Sequence, residues 1–467
     1  MLLRLASGLR SLFTLRRSWI GLLAVVALVY GAWLNRPETG LLEDGKWLYS
    51  YDENYTVLTA RRIAVGDKNV WDAWRHPDDG ADRRFTSIFS KADLGNDDSR
   101  YEWVHPPTPR ILMSEIIRIA GMNASLYRIP SLLLGILVVA MTWVIGNRMR
   151  GPGFGLYAAT LTAADGWLFC LSRVGMTDIY FISATVAAYA AFYVYWTAKT
   201  RRLLWIGIVG VLCGADLAMK WSAVAPILGL VGLTAARLVI DWRASPSTRR
   251  RTLLEAAVAF ASFALLPPAI YFASYWPFFA AGHSLDEWVR MHKAIVDYNV
   301  GAPATAPGSS KWIQWPLDRR YTWFLTRAKD RACQYTFASS NWIVWWPCVP
   351  ALCYAAEQFT GEPRFERAFV ITGACATWLP YAFVHRFVFT RYFAATVPFA
   401  ALAIAMVVFD LKAIWPRLGR PVQRVYVAAA VLFFVLRYPL WAGVPMPCSG
   451  IDGGSFLSWL HVGRKSG

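Results

Sequence analysis

An acidic pair, Asp52-Glu53, lies in the loop after the first apolar segment of the chain. A carboxylate at the edge of a membrane suits a general base that takes a proton from a hydroxyl group. The same loop later contains Glu102, His105 and Arg128. We interpret this loop as the place where the reaction occurs.

More ionisable side chains fall near the ends of apolar segments, on the predicted side of that loop. They are Asp165, Arg173, Asp178, Lys220, His385 and Arg386. A charged side chain at a helix end often only reaches the polar membrane interface and has no further role. This interpretation stays open for Lys220. Together the groups predict a polar cavity whose basic members suit a phosphate. A lipid-phosphate-sugar glycosyltransferase and a transporter could both use such a cavity.

Composition defines the protein class. The chain has 467 residues, of which 56% are hydrophobic and 17% charged, and its mean hydropathy is +0.34. Its apolar runs are continuous rather than alternating, which favours membrane-spanning helices over a β-barrel. Much of the net charge of +18 lies in short loops between these runs. That placement is typical of membrane topology and does not indicate a nucleic acid partner.

Eleven apolar segments approach the length that spans a bilayer. They are at about 18–36, 128–147, 153–171, 179–197, 203–219, 222–241, 253–275, 341–358, 367–385, 392–410 and 424–443. We therefore predict an all-α polytopic protein. Its parts are 1–36 (cytoplasmic N-terminus and first span), 37–127 (first external, catalytic loop), 128–275 (spans two to seven), 276–340 (second external loop), 341–443 (spans eight to eleven) and 444–467 (short external tail).

Every alternate short loop is basic, for example at Arg148 and Arg150 and at 249–251. Basic loops stay in the cytoplasm, which predicts a cytoplasmic N-terminus on an uncleaved anchor helix in the inner (plasma) membrane. The active site would face the periplasm or the exterior. Segments 109–120 and 284–296 have the pattern of helices lying in the membrane interface, although packing on the loop's own core stays open for 109–120.

The seven cysteines show no metal-binding spacing. Cys333 and Cys448 both fall on the outer side in this topology, so a disulfide between them is an open alternative. No structural zinc site is predicted.

Six ordered motifs between about 49 and 399 resemble those of the protein O-mannosyltransferase family, the dolichyl-phosphate-mannose–protein mannosyltransferases. They are Asp52-Glu53; His105-Pro106-Pro107 with Arg128; Asp165, Ser172-Arg173 and Asp178; Lys220-Trp221-Ser222; Ser309-Ser310-Lys311-Trp312; and the segment 386–398. The resemblance implies a C-type glycosyltransferase (GT-C) fold with two long external loops that carry interfacial helices. The eukaryotic β-trefoil insert is absent, which suggests a bacterial relative.

The resemblance also implies a reaction. Mannose would move, with inversion, from a polyprenyl- or dolichyl-phosphate carrier to a hydroxyl group, most simply Ser/Thr of an exported protein. Asp52 would be the base, with Glu53 assisting, and Arg128, Lys220 and Arg386 would bind the donor phosphate. Residues that would support the site or contact substrate are Glu102, His105, Asp165, Arg173, Asp178, Ser309, Ser310 and Trp312. No metal or other cofactor is required, and a divalent metal stays open.

The chain departs from the family pattern at three places. Trp103 stands where members commonly have Asp, Ala306 where they have His, and Thr390-Arg391 where they have Tyr-His. These positions would face the acceptor, so a lipid or glycan acceptor, as in aminoarabinose transferases, stays open. A flippase for a lipid-linked sugar and a non-catalytic membrane subunit are further alternatives, and the oligomeric state is open.

Overall fold

The computed structural model describes residues 18–36, 40–41, 47–48, 52–75, 102–306, 308–318, 322–329 and 332–447. Nearly all of this part of the chain is helical. The α-helices are α1 (Ser18–Gly31), α2 (Glu53–Ala64), α3 (Thr108–Ala120), α4 (Ala124–Tyr127), α5 (Ile129–Arg150), α6 (Pro152–Ala163), α7 (Gly166–Leu171), α8 (Asp178–Thr197), α9 (Arg202–Met219), α10 (Val224–Ala244), α11 (Arg249–Phe260), α12 (Leu266–Ala273), α13 (Trp276–Ala280), α14 (Leu285–Gly301), α15 (Trp342–Trp345), α16 (Cys348–Gly361), α17 (Phe365–Trp378), α18 (Val397–Ile414) and α19 (Pro416–Ala442).

Among the described residues, seven helical stretches are long and apolar enough to cross a membrane. They are Ala124–Arg150, Asp178–Thr197, Arg202–Met219, Trp221–Ala244, Arg249–Ala280, Thr390–Ile414 and Pro416–Ala442. A shorter apolar helix, α1, precedes them. The prediction of an all-α polytopic membrane protein is confirmed. The predicted number of eleven spans is not confirmed, because several predicted spans consist of shorter helices.

The predicted span 153–171 shows why a span can be interrupted. Asp165 separates α6 from α7, and its Oδ1 accepts a hydrogen bond from the main-chain nitrogen of Leu168 at 2.8 Å. This is an N-cap, which starts a new helix instead of continuing the old one. The other carboxylate oxygen accepts a bond from Trp345 Nε1 at 2.6 Å. The buried acid therefore joins α7 to α15.

Two helices form the centre of the bundle. The apolar windows of α8 and of the stretch that contains α18 are each 83% buried by the rest of the protein, against 22–39% for the other spans. Close approach between α5 and α6 depends on glycine, since a Cβ on Gly146 would lie 2.7 Å from the Gly155 Cα. Small residues allow this kind of contact between membrane helices.

The external segments pack on one another. Met113 and Ile117 of α3 are buried in the same cluster as Val57 and Leu58 of α2, while Ile119 is exposed. One face of the predicted interfacial helix therefore packs on the core of its own loop, the alternative left open above. In the second loop, α14 begins with a capping box formed by Ser284 and Glu287.

Two small antiparallel sheets lie outside the helices. Strands β1 (Gly40–Leu41) and β2 (Trp47–Leu48) form one of them. Strands β3 (Thr322–Lys329) and β4 (Ala332–Ala338) form a hairpin in which Thr322 pairs with Ala338. Strand β5 (Met446–Pro447) adds to β4 and thereby connects the end of the described chain to the second loop.

Candidate active site

Asp52 lies at the N-terminus of α2, but its side chain does not cap the helix. Its main-chain carbonyl accepts the hydrogen bonds from Tyr55 and Thr56 that start the helix. The carboxylate is therefore available for other contacts, and its side chain is 29% exposed. Helical geometry then turns the next residue, Glu53, about 100° away from it.

The Asp52 carboxylate belongs to a chain of alternating charges. Its Oδ2 accepts a hydrogen bond from Arg391 Nη2 at 2.9 Å. Arg391 Nε lies 3.6 Å from Asp178 Oδ2, and Lys220 Nζ donates to Asp178 Oδ1 at 2.8 Å. Four side chains from distant parts of the sequence thus alternate in sign. Such pairing is what makes buried charges tolerable.

The pKa of Asp52 suits a general base. Burial raises it from 3.8 to about 6, and Asp178 and Glu102 add to the rise, while Arg391 and Lys220 oppose it. A base works best when its pKa lies near the operating pH. At neutral pH, Asp52 is ionised and can accept a proton.

Glu53 and Arg128 form a separate, fully buried ion pair. Arg128 Nε and Nη2 donate to the two carboxylate oxygens of Glu53, each at 2.8 Å, and both side chains are 0% exposed. Arg128 also donates to the Leu34 carbonyl at 3.0 Å, and the Gly175 main-chain nitrogen donates to Glu53 at 2.7 Å. A Cβ on Gly175 would lie 2.4 Å from Val57 Cγ2, so only glycine fits there.

For Arg128, the predicted contact with the donor phosphate stays a prediction. Its guanidinium faces Glu53 and the end of the first span instead of a cavity. The Glu53 carboxylate is enclosed in the same way, and its predicted assisting role stays a prediction. The pair holds the first loop against the bundle.

Arg173 has a similar supporting position. Its guanidinium donates to the main-chain carbonyls of Tyr30, Ala32 and Trp33, at the C-terminal end of α1. Carbonyls at the C-terminal end of a helix lack partners within that helix, and a cation is favourable beside them. Of the predicted site residues, Arg173 and Asp165 thus support the fold.

A cavity of about 320 Å³ opens beside the charge chain. Its polar lining includes Lys220, Arg386 and His105, and much of the remaining lining is apolar, with Phe181 and Leu228 among its residues. None of the described residues that line it carries a carboxylate. The cavity therefore suits an anionic group that is attached to an apolar chain.

The loop before α3 positions His105. Glu102 Oε1 accepts hydrogen bonds from the main-chain nitrogens of Val104 and His105, and Arg110 Nη2 donates to the His105 carbonyl at 2.8 Å. Burial lowers the pKa of His105 to about 4, and the cations Lys220, Arg386 and Arg110 add to this effect against Glu102. His105 is thus a neutral imidazole at the cavity wall.

The second loop positions the segment that carries Arg386 and Arg391. The Ser310 nitrogen donates to the Val388 carbonyl at 2.9 Å, and its hydroxyl shares a hydrogen bond with Thr390. Ser309 Oγ accepts from the Ala306 nitrogen, while the Trp312 carbonyl accepts from Trp378. These contacts support the site, and the predicted residues Ser309, Ser310 and Trp312 are not among the residues that line the cavity.

Arg391 is the site residue that the sequence predictions did not include. It lies in the motif segment 386–398, at one of the three departures from the family pattern. The departure from the family pattern at Thr390-Arg391 was the sequence signal that could have pointed to this residue. Arg386 follows the prediction in lining the cavity, and its guanidinium also donates to Asn299 Oδ1.

Two further predictions concern a metal site and a disulfide. No group of three or more His, Cys, Asp or Glu residues is arranged there to hold a metal ion. Cys448 lies outside the described residues, as does the side chain of Cys333, so their disulfide stays a prediction.

The chain is similar to known proteins in sequence and in fold. The family described as dolichyl-phosphate-mannose-protein mannosyltransferase matches residues 103–281. A curated polyprenol-phosphate-mannose–protein mannosyltransferase of Mycobacterium tuberculosis is 28% identical, across 73% of this chain and 78% of the relative.

Solved structures share the fold. The S. cerevisiae protein O-mannosyltransferase Pmt1-Pmt2 complex, bound to the sugar donor, has a TM-score of 0.72 at 12% identity, covering 94% of this chain and 92% of the matched chain. ArnT from Cupriavidus metallidurans, bound to undecaprenyl phosphate, has a TM-score of 0.55 at 13% identity, covering 93% and 79%. The predicted GT-C fold is confirmed, and in sequence the chain is similar to the protein O-mannosyltransferases that it was predicted to resemble.

Proposed function

We propose that this chain transfers mannose from a polyprenyl-phosphate carrier to a hydroxyl group of an exported protein. The observation that carries the proposal is the cavity lined by two cations and by apolar side chains, next to the charge chain that contains Asp52, whose pKa is about 6. The names of the M. tuberculosis relative and of the donor-bound yeast complex support mannose as the sugar and protein as the acceptor. The N-terminus would be cytoplasmic and the site periplasmic or extracellular.

The proposed reaction is a single displacement. The acceptor oxygen forms a bond to the anomeric carbon, and the bond from that carbon to the phosphate oxygen breaks. Asp52 takes the hydroxyl proton, and the carrier leaves as a phosphate monoester. Lys220 and Arg386 would hold the phosphate and stabilise the charge that develops on it. A phosphate leaves readily, so the mechanism needs no general acid.

The apolar part of the cavity gives the carrier a path. Val224, Ala225 and Leu228 at the start of α10 face Ala376 of α17 across it. A prenyl chain buries apolar surface favourably against such side chains, at about 0.8 kcal/mol per CH₂ group. The carrier would thus lie between these helices with its phosphate at Lys220.

A transfer assay tests the function. Purified protein is incubated with radiolabelled polyprenyl-phosphate-mannose and a peptide rich in Ser and Thr. We expect label in the peptide, and its release by β-elimination would identify an O-glycosidic bond. Label in lipid or glycan, with none in peptide, would contradict the protein acceptor. Binding or flipping of the donor without any transfer would contradict the enzyme.

The Arg386→Gln variant should bind the donor more weakly. It removes one charged hydrogen-bond donor from the cavity, a loss of about 1.5–3 kcal/mol and hence roughly 10- to 100-fold in donor KM. Transfer kinetics at varied donor concentration measure this. Arg290→Gln, at a side chain that is 61% exposed on α14, is the control and should leave the donor KM unchanged. An unchanged KM in Arg386→Gln would remove Arg386 from the phosphate site.

A further inference from the structure

Arg391 is buried and held in place by its surroundings. It lies in the 3₁₀ helix Thr390–Thr396 before α18 and is 5% exposed. Its guanidinium lies over the rings of Phe389 and Tyr392, with its carbon 4.3 Å and 5.3 Å from their centroids. Asp178 holds it from a third side. The position of this cation is therefore set by the bundle rather than by Asp52.

Asp52 is the more loosely held partner. Its side chain is 29% exposed and does not cap α2. The hydrogen bond from Arg391 uses Oδ2. Among the described residues, none donates a hydrogen bond to Oδ1. A carboxylate held by one oxygen presents the other in a defined direction.

Arg391 also differs from the cations of the cavity. Lys220 and Arg386 line the cavity, whereas Arg391 is not among the described residues that do so. Its charge faces the two carboxylates. It is thus suited to act on the base rather than on the donor phosphate.

We propose that Arg391 is a positioning residue for the base: it holds Asp52 by Oδ2 and directs Oδ1 toward the acceptor hydroxyl. This inference rests on the proposed function, because it assigns Asp52 the proton of the acceptor. Arg391 also keeps the carboxylate ionised between turnovers. In the reaction the proton goes to Oδ1, and the bond between Arg391 and Oδ2 remains.

Two variants separate charge from geometry. Arg391→Gln removes the cation and Arg391→Lys keeps it without the planar fork. The charged groups that face Asp52 are Arg391 from the segment before α18, Asp178 from α8, Lys220 from between α9 and α10, and Glu102 from the first loop. Without Arg391, the pKa of Asp52 should rise above 6 by about one unit or more, since an opposite charge this close lowers a carboxyl pKa by about 1–3.

The sign of the pH effect follows. Asp52 works as the carboxylate, so the acid limb of the kcat profile should move to higher pH in Arg391→Gln. For a shift of one unit, kcat at pH 6 falls about fivefold from ionisation alone. Arg391→Lys should keep the acid limb near its wild-type position while kcat falls, because the planar fork that lies between Asp52 and Asp178 and fixes the direction of the bond to Oδ2 is lost. The donor KM should stay unchanged in both variants.

A second measurement does not need activity. A water-soluble carbodiimide reacts with protonated carboxyl groups, so the labelling of Asp52 against pH, read by peptide mass spectrometry, reports its ionisation. We expect a midpoint near 6 in the wild type and a higher one in Arg391→Gln, with Arg290→Gln as the matched control. An unchanged midpoint, or a raised donor KM with an unchanged acid limb, would overturn the inference. If the wild type transfers no mannose, the proposed function fails while the labelling midpoint still decides the role of Arg391.

Discussion

The Asp52→Asn variant should lose mannose transfer by about 10²- to 10⁴-fold in kcat while binding the donor normally, because a general base contributes about that much. Asparagine has the same shape, and its carbonyl oxygen can still accept the hydrogen bond from Arg391. It cannot accept the acceptor's proton at neutral pH. Single-turnover transfer with saturating donor measures the chemical step.

The control for this variant is Asp286→Asn on α14. It makes the same chemical change at a side chain that is 75% exposed, in a pair with Arg290. Its transfer rate should equal that of the wild type. Near-wild-type turnover in Asp52→Asn would show that another group takes the proton, and Asp178, the second carboxylate of the charge chain, would then be the candidate.

The Arg128→Met variant should lose stability rather than donor affinity. It leaves the Glu53 carboxylate, which is 0% exposed, without its charge partner. Breaking a buried ion pair from one side costs about 3–5 kcal/mol, because a buried charge then lacks compensation. Thermal unfolding in detergent, followed by intrinsic Trp fluorescence, should show a clearly lower midpoint.

The double variant Glu53→Gln/Arg128→Met tests whether the uncompensated charge of Glu53 causes the loss of stability. Removing both charges can be nearly neutral, so it should recover much of the loss. Arg118→Met breaks an exposed pair with Glu115 on α3 and should leave the midpoint unchanged. If Arg128→Met instead keeps the wild-type midpoint and binds the donor weakly, Arg128 belongs to the phosphate site as its motif predicted.

The pair of predictions separates two neighbours that look alike in the sequence. Asp52 and Glu53 are adjacent carboxylates, and the motif assigned both to chemistry. In the structure α2 begins between them, so they point in different directions. One meets Arg391, 339 positions away, and the other meets Arg128, 75 positions away. A local sequence pattern cannot predict contacts between residues this far apart in the chain.

The membrane class and the similarity to protein O-mannosyltransferases could be predicted from the sequence, because apolar length and ordered motifs are local properties. The helices at 109–120 and 284–296 were predictable for the same reason, since amphipathic spacing and a Ser cap lie within one element. The interruptions of the predicted spans were harder to predict from the sequence. Asp165 reads as one polar residue in an apolar run, and its role as a cap depends on Trp345 of another helix.

From the amino-acid sequence alone, the chain could be identified as a polytopic helical protein with an acidic pair in its first loop and basic groups at its span ends. Which of these charges meet depends on the tertiary fold. It enclosed Glu53, Arg128 and Arg173 in the fold, and it brought Asp52, Arg391, Asp178 and Lys220 together beside the cavity. The physical reason is that a buried charge requires a partner, and the packing of distant helices selects that partner.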